Sequence, residues 1–185
     1  MIRLLKKRIG RFFIKCVRQL PVWEQNTFFD ELNANSQQAT YNHYRNKYSL
    51  ANSFRFNGEG IIFHGDGAIC IGSNTYLGRH SYISAFINTK IQIGDNCSIS
   101  HNVKIYTISN QTDQNMDSVD AKNKIIGDVL IGNGVWIGAN VFIKEGVTIG
   151  NNSVVGANAV VISNVPENAI YGGVPAKLLR YKVIG

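Results

Sequence analysis

From residue 71 onward, a large aliphatic residue returns at every sixth position, apart from a ten-residue step between Ile83 and Ile93 and an insertion between Ile105 and Ile125. The second position of each hexad is most often glycine, and the fifth is mostly small or aliphatic. A helix would repeat its apolar residues at three and four, and a sandwich would use strands of uneven length joined by hairpins, so a period of six fits neither. The thirteen hexads begin at Ile71, Leu77, Ile83, Ile93, Ile99, Ile105, Ile125, Ile131, Ile137, Ile143, Ile149, Val155 and Val161.

This period predicts a short strand followed by a corner, with one large and one smaller side chain pointing inward. Three hexads close one triangular coil, and successive coils stack through parallel backbone hydrogen bonds around a continuous aliphatic core. We therefore predict an all-β fold, a parallel β-helix over residues 61–166. Its pattern disappears at residues 107–124, which we predict to be a polar loop leaving the coil; such a loop is more often functional than decorative.

The other segments flank this β-helix. Residues 1–20 are predicted to form a basic amphipathic helix, residues 21–60 a mixed segment with a short helix around Asn26 to Leu32, and residues 167–185 a C-terminal cap with a short helix. Within residues 1–20, apolar residues recur at steps of three and four while cations occupy another face. The apolar positions are Ile2, Leu5, Ile9, Phe12, Cys16 and Leu20.

The positive charge of the protein is concentrated at its N-terminus. The formal net charge is +7, and residues 1–18 hold seven cations before the first acid, Glu24, while the rest of the chain is balanced. The balanced body gives no reason to expect nucleic acid as a partner. Two interpretations of the basic helix stay open: it lies on an anionic membrane surface, or its apolar stripe packs on the protein's own body or on a sister subunit.

Composition narrows the class of protein. With 44% hydrophobic and 17% charged residues, the sequence is typical of a soluble globular protein. Its cysteines, Cys16, Cys70 and Cys97, are odd in number and form no C-x-x-C pair, which fits a reduced cytoplasm. Cations interrupt residues 1–20 too often for a secretory signal. We expect a cytoplasmic protein, peripheral at the inner membrane face if the basic helix binds lipid.

Three stretches resemble a known family. They are residues 135–141 (VWIGANV), 156–161 (GANAVV) and 172–180 (GGVPAKLLR). They resemble the hexapeptide-repeat acyltransferases, and most of all the maltose and galactoside acetyltransferases and their relatives in surface-polysaccharide biosynthesis, over about residues 61–182. The resemblance implies a left-handed β-helix, a homotrimer with active sites shared between subunits, and no metal. It also implies transfer of an acetyl group from acetyl-CoA to a hydroxyl of a sugar or polysaccharide intermediate.

The resemblance also implies where the substrates bind. Small side chains at Ala139 and Ala157 would let the pantetheine arm of acetyl-CoA lie close to the coil. Lys177 and Arg180 follow a proline at a predicted helix start, which suits them to the nucleotide phosphates. The full coenzyme set is Trp136, Ala139, Ala157, Ile162, Ser163, Lys177 and Arg180, and the predicted substrate contacts are Ser84, Tyr106 and Asp113.

The loop departs from the family at its catalytic base. A hydroxyl at neutral pH needs a base to attack a thioester, and histidine suits this task. Family members have a loop histidine in a stretch like I-Y-T-x-T-H, whereas residues 105–110 here read IYTISN. Asn110 forms hydrogen bonds but cannot take the proton. His101, at a predicted corner beside the loop, is the predicted substitute, and Asp113 is a weaker one because an exposed carboxylate is a poor base.

Other functions on the same fold stay open. A catalytically impaired relative would keep the β-helix as a binding or assembly module. A zinc carbonic anhydrase would need three converging histidines, and the spacing of His64, His80 and His101 does not match 18-residue coils. A purely structural β-helix is disfavoured by its irregular outward residues and by the long loop.

Overall fold

Three β-sheets, parallel except for the last strand of face B, form the three faces of a prism in the computed structural model, which describes residues 10, 12–118, 120 and 122–183. Face A contains β1 (Ser49–Leu50), β4 (Ala68–Ile71), β7 (Lys90–Ile93), β12 (Val129–Ile131) and β15 (Thr148–Ile149). Face B contains β2 (Arg55–Asn57), β5 (Tyr76–Gly78), β8 (Ser98–Ile99), β13 (Trp136–Ile137), β16 (Val154–Val155), β18 (Ala169–Gly172) and β19 (Lys177–Tyr181). Face C contains β3 (Ile62–His64), β6 (Tyr82–Ser84), β9 (Lys104–Tyr106), β14 (Phe142–Ile143) and β17 (Val160–Val161). The chain visits A, B and C in turn, so these ladders confirm the predicted parallel β-helix.

The hexad pattern builds the core. The first residues of the hexads stack from coil to coil, as in the pairs Leu77 with Ile99 and Ile83 with Ile105, and all four are fully buried. Smaller fifth-position residues such as Val103 fill the space between these columns. The stacked aliphatic side chains exclude water along the prism axis, which is the main source of stability for a solenoid.

The fourth hexad position turns most corners in the left-handed backbone region. Asn140 and Asn158 have φ angles of 59° and 62°, and Asn and Gly tolerate this region better than other residues. The asparagine side chains also bond between coils: Asn102 Nδ2 donates to Asn140 Oδ1 at 2.8 Å, and Asn140 Nδ2 donates to Asn158 Oδ1 at 3.0 Å. His80, with φ of 60°, occupies one of these corners.

The helix-rich N-terminal part is longer than predicted. Contacts divide the chain into two units, Met1–Asn42 and His43–Gly185. Residues 12–17 form a helical segment, α1, and α2 extends over Val22–Lys47 in place of the short helix expected around Asn26 to Leu32. Polar residues cover most faces of α2, so its sequence lacks a clear apolar stripe. Ile2, Leu5 and Ile9 of the predicted amphipathic helix lie outside the described residues.

The β-helix begins earlier than residue 61. β1 pairs with β4 through Ser49 and Leu50, so the first coil starts twelve residues before the predicted boundary. Aromatic side chains replace the hexad aliphatics there: Phe63 packs 5.0 Å from Tyr44 and 5.5 Å from Phe56, measured between ring centroids. The repeat was hidden in this coil because aromatic residues occupy the inward positions.

Two further expectations are wrong in detail. The loop at 107–124 is an antiparallel hairpin of β10 (Ile108–Asn110) and β11 (Lys124–Ile126), and Ile125 lies in that hairpin, partly exposed, instead of starting a hexad. The C-terminal cap has no short helix among its described residues, because β18 and β19 pair as antiparallel strands. Lys177 and Arg180 therefore lie on a strand, and the expected helix start beside them does not exist.

Candidate active site

The predicted site residues gather at the two edges of face C. His101, Ala139 and Ala157 lie at the corner between faces B and C, which we call the BC edge. Ser84 and Tyr106 end their strands beside the corner between faces C and A, the CA edge, where the hairpin leaves the coil. The width of face C separates these groups by on the order of 15 Å at about 3.3 Å per extended residue. One chain alone does not bring His101 next to Asn110.

A column of rings lies on the outer surface of face C, with His64 and Tyr106 at the CA-edge ends of their strands and Tyr82 and Phe142 at the starts of theirs. His64, Tyr82, Tyr106 and Phe142 stack in succession, with centroids 5.9, 5.6 and 5.6 Å apart and ring planes within 29° of parallel. The stacked rings cover one another's faces. Their edges, which carry the imidazole nitrogens and the tyrosine hydroxyls, are the parts that a ligand could contact. Burial, with a smaller effect of neighbouring Tyr82, raises the pKa of the Tyr106 phenol, so it stays a neutral hydrogen-bond donor.

The hairpin is attached to the coil through a buried carboxylate. Ser109 Oγ donates to Glu145 Oε1 at 2.9 Å, and the side chain of Glu145 is only 1% exposed. Lys144 Nζ lies 3.1 Å from the same oxygen, while Oε2 has no hydrogen-bond partner in the described part of the chain. This contact holds the base of the segment that carries Asn110, whose Oδ1 accepts a hydrogen bond from Lys124. Asp113 lies farther along the hairpin and is exposed.

The BC edge offers a smooth surface beside a large aromatic residue. Ala139 and Ala157 occupy the same hexad position on successive coils, with His101 one coil before them. Trp136 lies on adjacent face B and is 56% exposed. Lys177 and Arg180 lie exposed on β19, where Lys177 pairs with Gly172 and Arg180 with Ile170. Small residues, an aromatic surface and two cations are thus near the same end of faces B and C.

Ile162 and Ser163 lie apart from the other predicted coenzyme residues. They follow β17 at the CA edge, and both are exposed. The predicted coenzyme set is therefore spread over face B and both edges of face C rather than forming one continuous surface of a single chain.

His64 lies beside the predicted substrate residues, although the sequence analysis considered it only as a possible zinc ligand. It ends β3 at the CA edge, and its Nδ1 lies 3.4 Å from the hydroxyl oxygen of buried Ser84. The strand register pairs His64 with Ser84 and Ser84 with Tyr106. Intervals of 20 and 22 residues link the three positions, a signal visible only once the first coil is known to exist.

The histidines do not converge within one chain. His64 lies at the CA edge, whereas His80 and His101 lie at the BC edge on successive coils. Across the described ranges, no three His, Cys, Asp or Glu side chains gather in a group that could hold a metal ion.

Family models match both parts of the β-helix. The model "Bacterial transferase hexapeptide (six repeats)" matches residues 128–163, and "Hexapeptide repeat of succinyl-transferase" matches residues 68–107. The chain therefore contains hexapeptide repeats on both sides of the hairpin. The two matches flank the hairpin and confirm both the resemblance and the left-handed β-helix that it implied.

Acyltransferases are among the solved structures that are similar to this protein. AntD, an N-acyltransferase from Bacillus cereus in complex with dTDP and 3-hydroxybutyryl-CoA, has a TM-score of 0.60 at 23% identity, covering 74% of this chain and 78% of its own. At that identity the likeness shows the fold alone. A hexapeptide-repeat acetyltransferase from Vibrio cholerae O1 biovar eltor, complexed with acetyl-CoA, has a TM-score of 0.52 at 28% identity, covering 97% of this chain and 88% of its own.

No helix in the described part of this hexapeptide-repeat protein has the length and apolar character needed to cross a membrane.

Proposed function

We propose that this protein transfers an acetyl group from acetyl-CoA to a hydroxyl of a sugar or polysaccharide intermediate. The observation that carries the proposal is the pairing of a small-residue BC edge with a polar CA edge on a hexapeptide β-helix. The Vibrio cholerae relative, which contains acetyl-CoA, supports the choice of coenzyme. AntD, an N-acyltransferase solved with dTDP-4-amino-4,6-dideoxyglucose and coenzyme A, motivates the choice of nucleotide-linked sugars as acceptor probes.

The active site of the proposed enzyme is a seam between chains of a homotrimer. Ala139 and Ala157 of one chain would face the pantetheine arm, while Ser84, Tyr106 and the hairpin of the next chain would face the acceptor. Because the two edges of face C are separated within one chain, only a second copy brings them together. A cyclic trimer of prisms creates three such seams by symmetry.

Different residues have different roles in the proposed reaction. The thioester supplies an activated acetyl group, and backbone N–H groups at the coil corners stabilise the oxyanion that forms on its carbonyl oxygen. Tyr106 and Asp113 hydrogen-bond the acceptor hydroxyls, and Trp136, Ile162 and Ser163 line the coenzyme. Lys177 and Arg180 neutralise the nucleotide phosphates. A histidine takes the acceptor proton, and His101 is the residue that the sequence analysis predicts for this role.

Thiol release from acetyl-CoA tests this reaction directly. We expect wild-type protein to release free thiol faster when hexoses or UDP-hexoses are supplied as acceptor probes than in water alone. The double variant Lys177→Ala/Arg180→Ala should raise the KM for acetyl-CoA roughly tenfold or more, because each lost phosphate contact weakens binding by about 1 kcal/mol. Its kcat should be retained, since neither cation touches the reacting atoms.

A binding or assembly module is the competing function, and the absent loop histidine favours it. That function predicts acetyl-CoA binding by calorimetry without thiol release for any acceptor probe. Such a result would contradict the enzymatic proposal.

We further propose that the N-terminal segment binds an anionic membrane surface. Phe12, Trp23 and Val22 are strongly exposed, and Lys15 and Arg18 lie close to them in sequence. Within the first unit, Phe13, Val17 and Leu32 line an apolar groove of about 440 Å³. Exposed aromatic residues beside cations, in a segment whose first 18 residues contain no acid, are typical of interfacial helices.

Vesicle sedimentation tests this membrane proposal. The double variant Lys15→Gln/Arg18→Gln should bind phosphatidylserine-containing vesicles about 30-fold more weakly, because each basic residue contributes about 1 kcal/mol at an anionic surface. The matched variant Arg79→Gln/Lys104→Gln removes the same charge from the β-helix and should bind like wild type. Equal binding to purely zwitterionic vesicles would show that charge is not the cause and would contradict the proposal.

A further inference from the structure

We propose that His64 is the general base that removes the proton from the acceptor hydroxyl. This inference rests on the proposed acetyl transfer and identifies the base that the loop lacks. It follows from three observations: the contact between His64 and Ser84, the ring stacking on Tyr82, and the position of His64 at the CA edge.

The imidazole of His64 is held in a defined orientation. Its Nδ1 lies 3.4 Å from Ser84 Oγ, and Ser84 itself is buried. The ring also stacks on Tyr82, with centroids 5.9 Å apart and planes inclined by 27°. We assign the proton to Nδ1, which then donates to the serine oxygen and leaves the lone pair of Nε2 free for the acceptor proton. A base needs such an orienting partner as well as a suitable proton affinity.

His64 is also on the acceptor side of the proposed site. It is exposed, and the strand register places it in one row with Ser84 and Tyr106. Tyr106 immediately precedes Thr107, where the chain leaves the coil toward Asn110. The Tyr82 ring lies between the rings of His64 and Tyr106, so a sugar bound by the Tyr106 phenol and the hairpin through some of its hydroxyls would present a different hydroxyl to His64 at the same edge.

His101 lacks this support. It is exposed at the opposite edge of face C, and the contact recorded for its ring is with Ser100, its neighbour in sequence, at 3.3 Å between Nδ1 and Oγ. A contact between adjacent exposed residues does little to restrict a ring, so His101 is less well preorganised than His64.

The proposed step balances without another reactant. The acceptor oxygen attacks the thioester carbonyl carbon while its proton passes to Nε2 of His64. The tetrahedral intermediate then collapses, the C–S bond breaks, and the proton on Nε2 neutralises the departing thiolate. The products are the acetyl ester and free CoA thiol, and His64 returns to its starting state.

Thiol release from acetyl-CoA, with hexoses and UDP-hexoses as acceptor probes, tests the assignment. His64→Ala and His64→Gln should each lower kcat by about 100-fold or more, with the KM for acetyl-CoA unchanged. His64→Gln keeps a side chain of similar reach, so thermal unfolding should show that the fold persists. Free imidazole should restore part of the kcat of His64→Ala, because the vacated position is exposed.

Two further variants separate chemistry from structure. Ser84→Ala should lower kcat by on the order of tenfold without imidazole rescue, because the base is retained but no longer oriented. His43→Ala removes an exposed histidine from α2 and should behave like wild type.

The outcomes distinguish this inference from the proposed function. If a probe accelerates thiol release in wild type and both His64 variants stay within threefold of it, the assignment to His64 is wrong while the acetyltransferase stands. Loss of activity in His101→Ala together with full activity in the His64 variants would return the role to His101. If no probe accelerates thiol release in wild type, the proposed function fails, and the base with it.

Discussion

Gly138→Ala should lower the midpoint of thermal unfolding by about 6–12 °C. A Cβ at this position would lie 2.5 Å from the backbone nitrogen and 2.8 Å from the Cα of Ala157 on the next coil. Backbone atoms cannot rotate away as a flexible side chain can, so adjacent coils must separate locally. Overpacking of this kind costs about 3 kcal/mol, and a domain of this size loses about 2–4 °C for each kcal/mol.

Gly156→Ala is the matched control for this prediction. Gly156 has the same hexad position at the same corner, one coil later, yet the nearest atom to an added Cβ is the carbonyl oxygen of Tyr171 at 3.5 Å. Its midpoint of thermal unfolding should stay within about 3 °C of wild type. The added Cβ makes an ordinary van der Waals contact instead of a clash, and alanine lowers the conformational entropy of the unfolded chain, which favours folding slightly. Equal midpoints for the two variants, measured by circular dichroism, would contradict the close stacking of coils at Gly138.

Two inactive variants should recover activity when they share a trimer. His64→Gln damages the CA edge, and Ala157→Trp fills the BC edge where the coenzyme is proposed to lie. A mixed trimer of the two contains one seam in three that combines an intact CA edge with an intact BC edge. We therefore expect about a third of the wild-type kcat per trimer, measured by thiol release.

The measurement needs trimers that contain both variants. Co-expression with two different affinity tags and purification through both tags selects them, and trimers of each single variant serve as controls. If the site lay within one chain, every chain of the mixed trimer would carry one damaged edge and no activity would return. Gel filtration of the same samples establishes whether the particle is a trimer.

Hexad periodicity was the most reliable part of the sequence. Residues such as Leu77, Ile99 and Val161 are aliphatic at every coil because a buried column of stacked side chains accepts little else. That requirement is local and repeated, so it is visible without coordinates. The same regularity exposed the interruption at 107–124, although the antiparallel pairing within it depends on contacts such as that of Ser109 with Ile125.

The ends of the β-helix were harder to predict. In the first coil, Phe54 and Phe63 take the inward positions, and their different size broke the pattern that marks later coils. At the C-terminus, Lys177 to Arg180 read equally well as a short helix, and pairing of β19 with β18 decides in favour of a strand. Pairing with a neighbouring strand overrides weak local preference at such positions.

The candidate base shows most clearly that contacts between residues distant in sequence are hard to predict. His64 and Ser84 are twenty residues apart, and nothing in their immediate sequence suggests that they touch. His101 was the predicted base because it is near the loop in sequence, yet the structure places it at the other edge of face C. The assignment of a base to either residue stays a prediction.

Amino-acid order by itself determined the parallel β-helix, its inward columns and the residues at which the chain leaves the coil, because burial requires the same residue types at every sixth place; the left hand of the coil came only from the family resemblance. Only the tertiary structure decided which outward side chains share an edge. The coil length and the strand register bring such outward side chains together. Because outward positions are not buried, they show no repeated residue type from which their neighbours could be predicted.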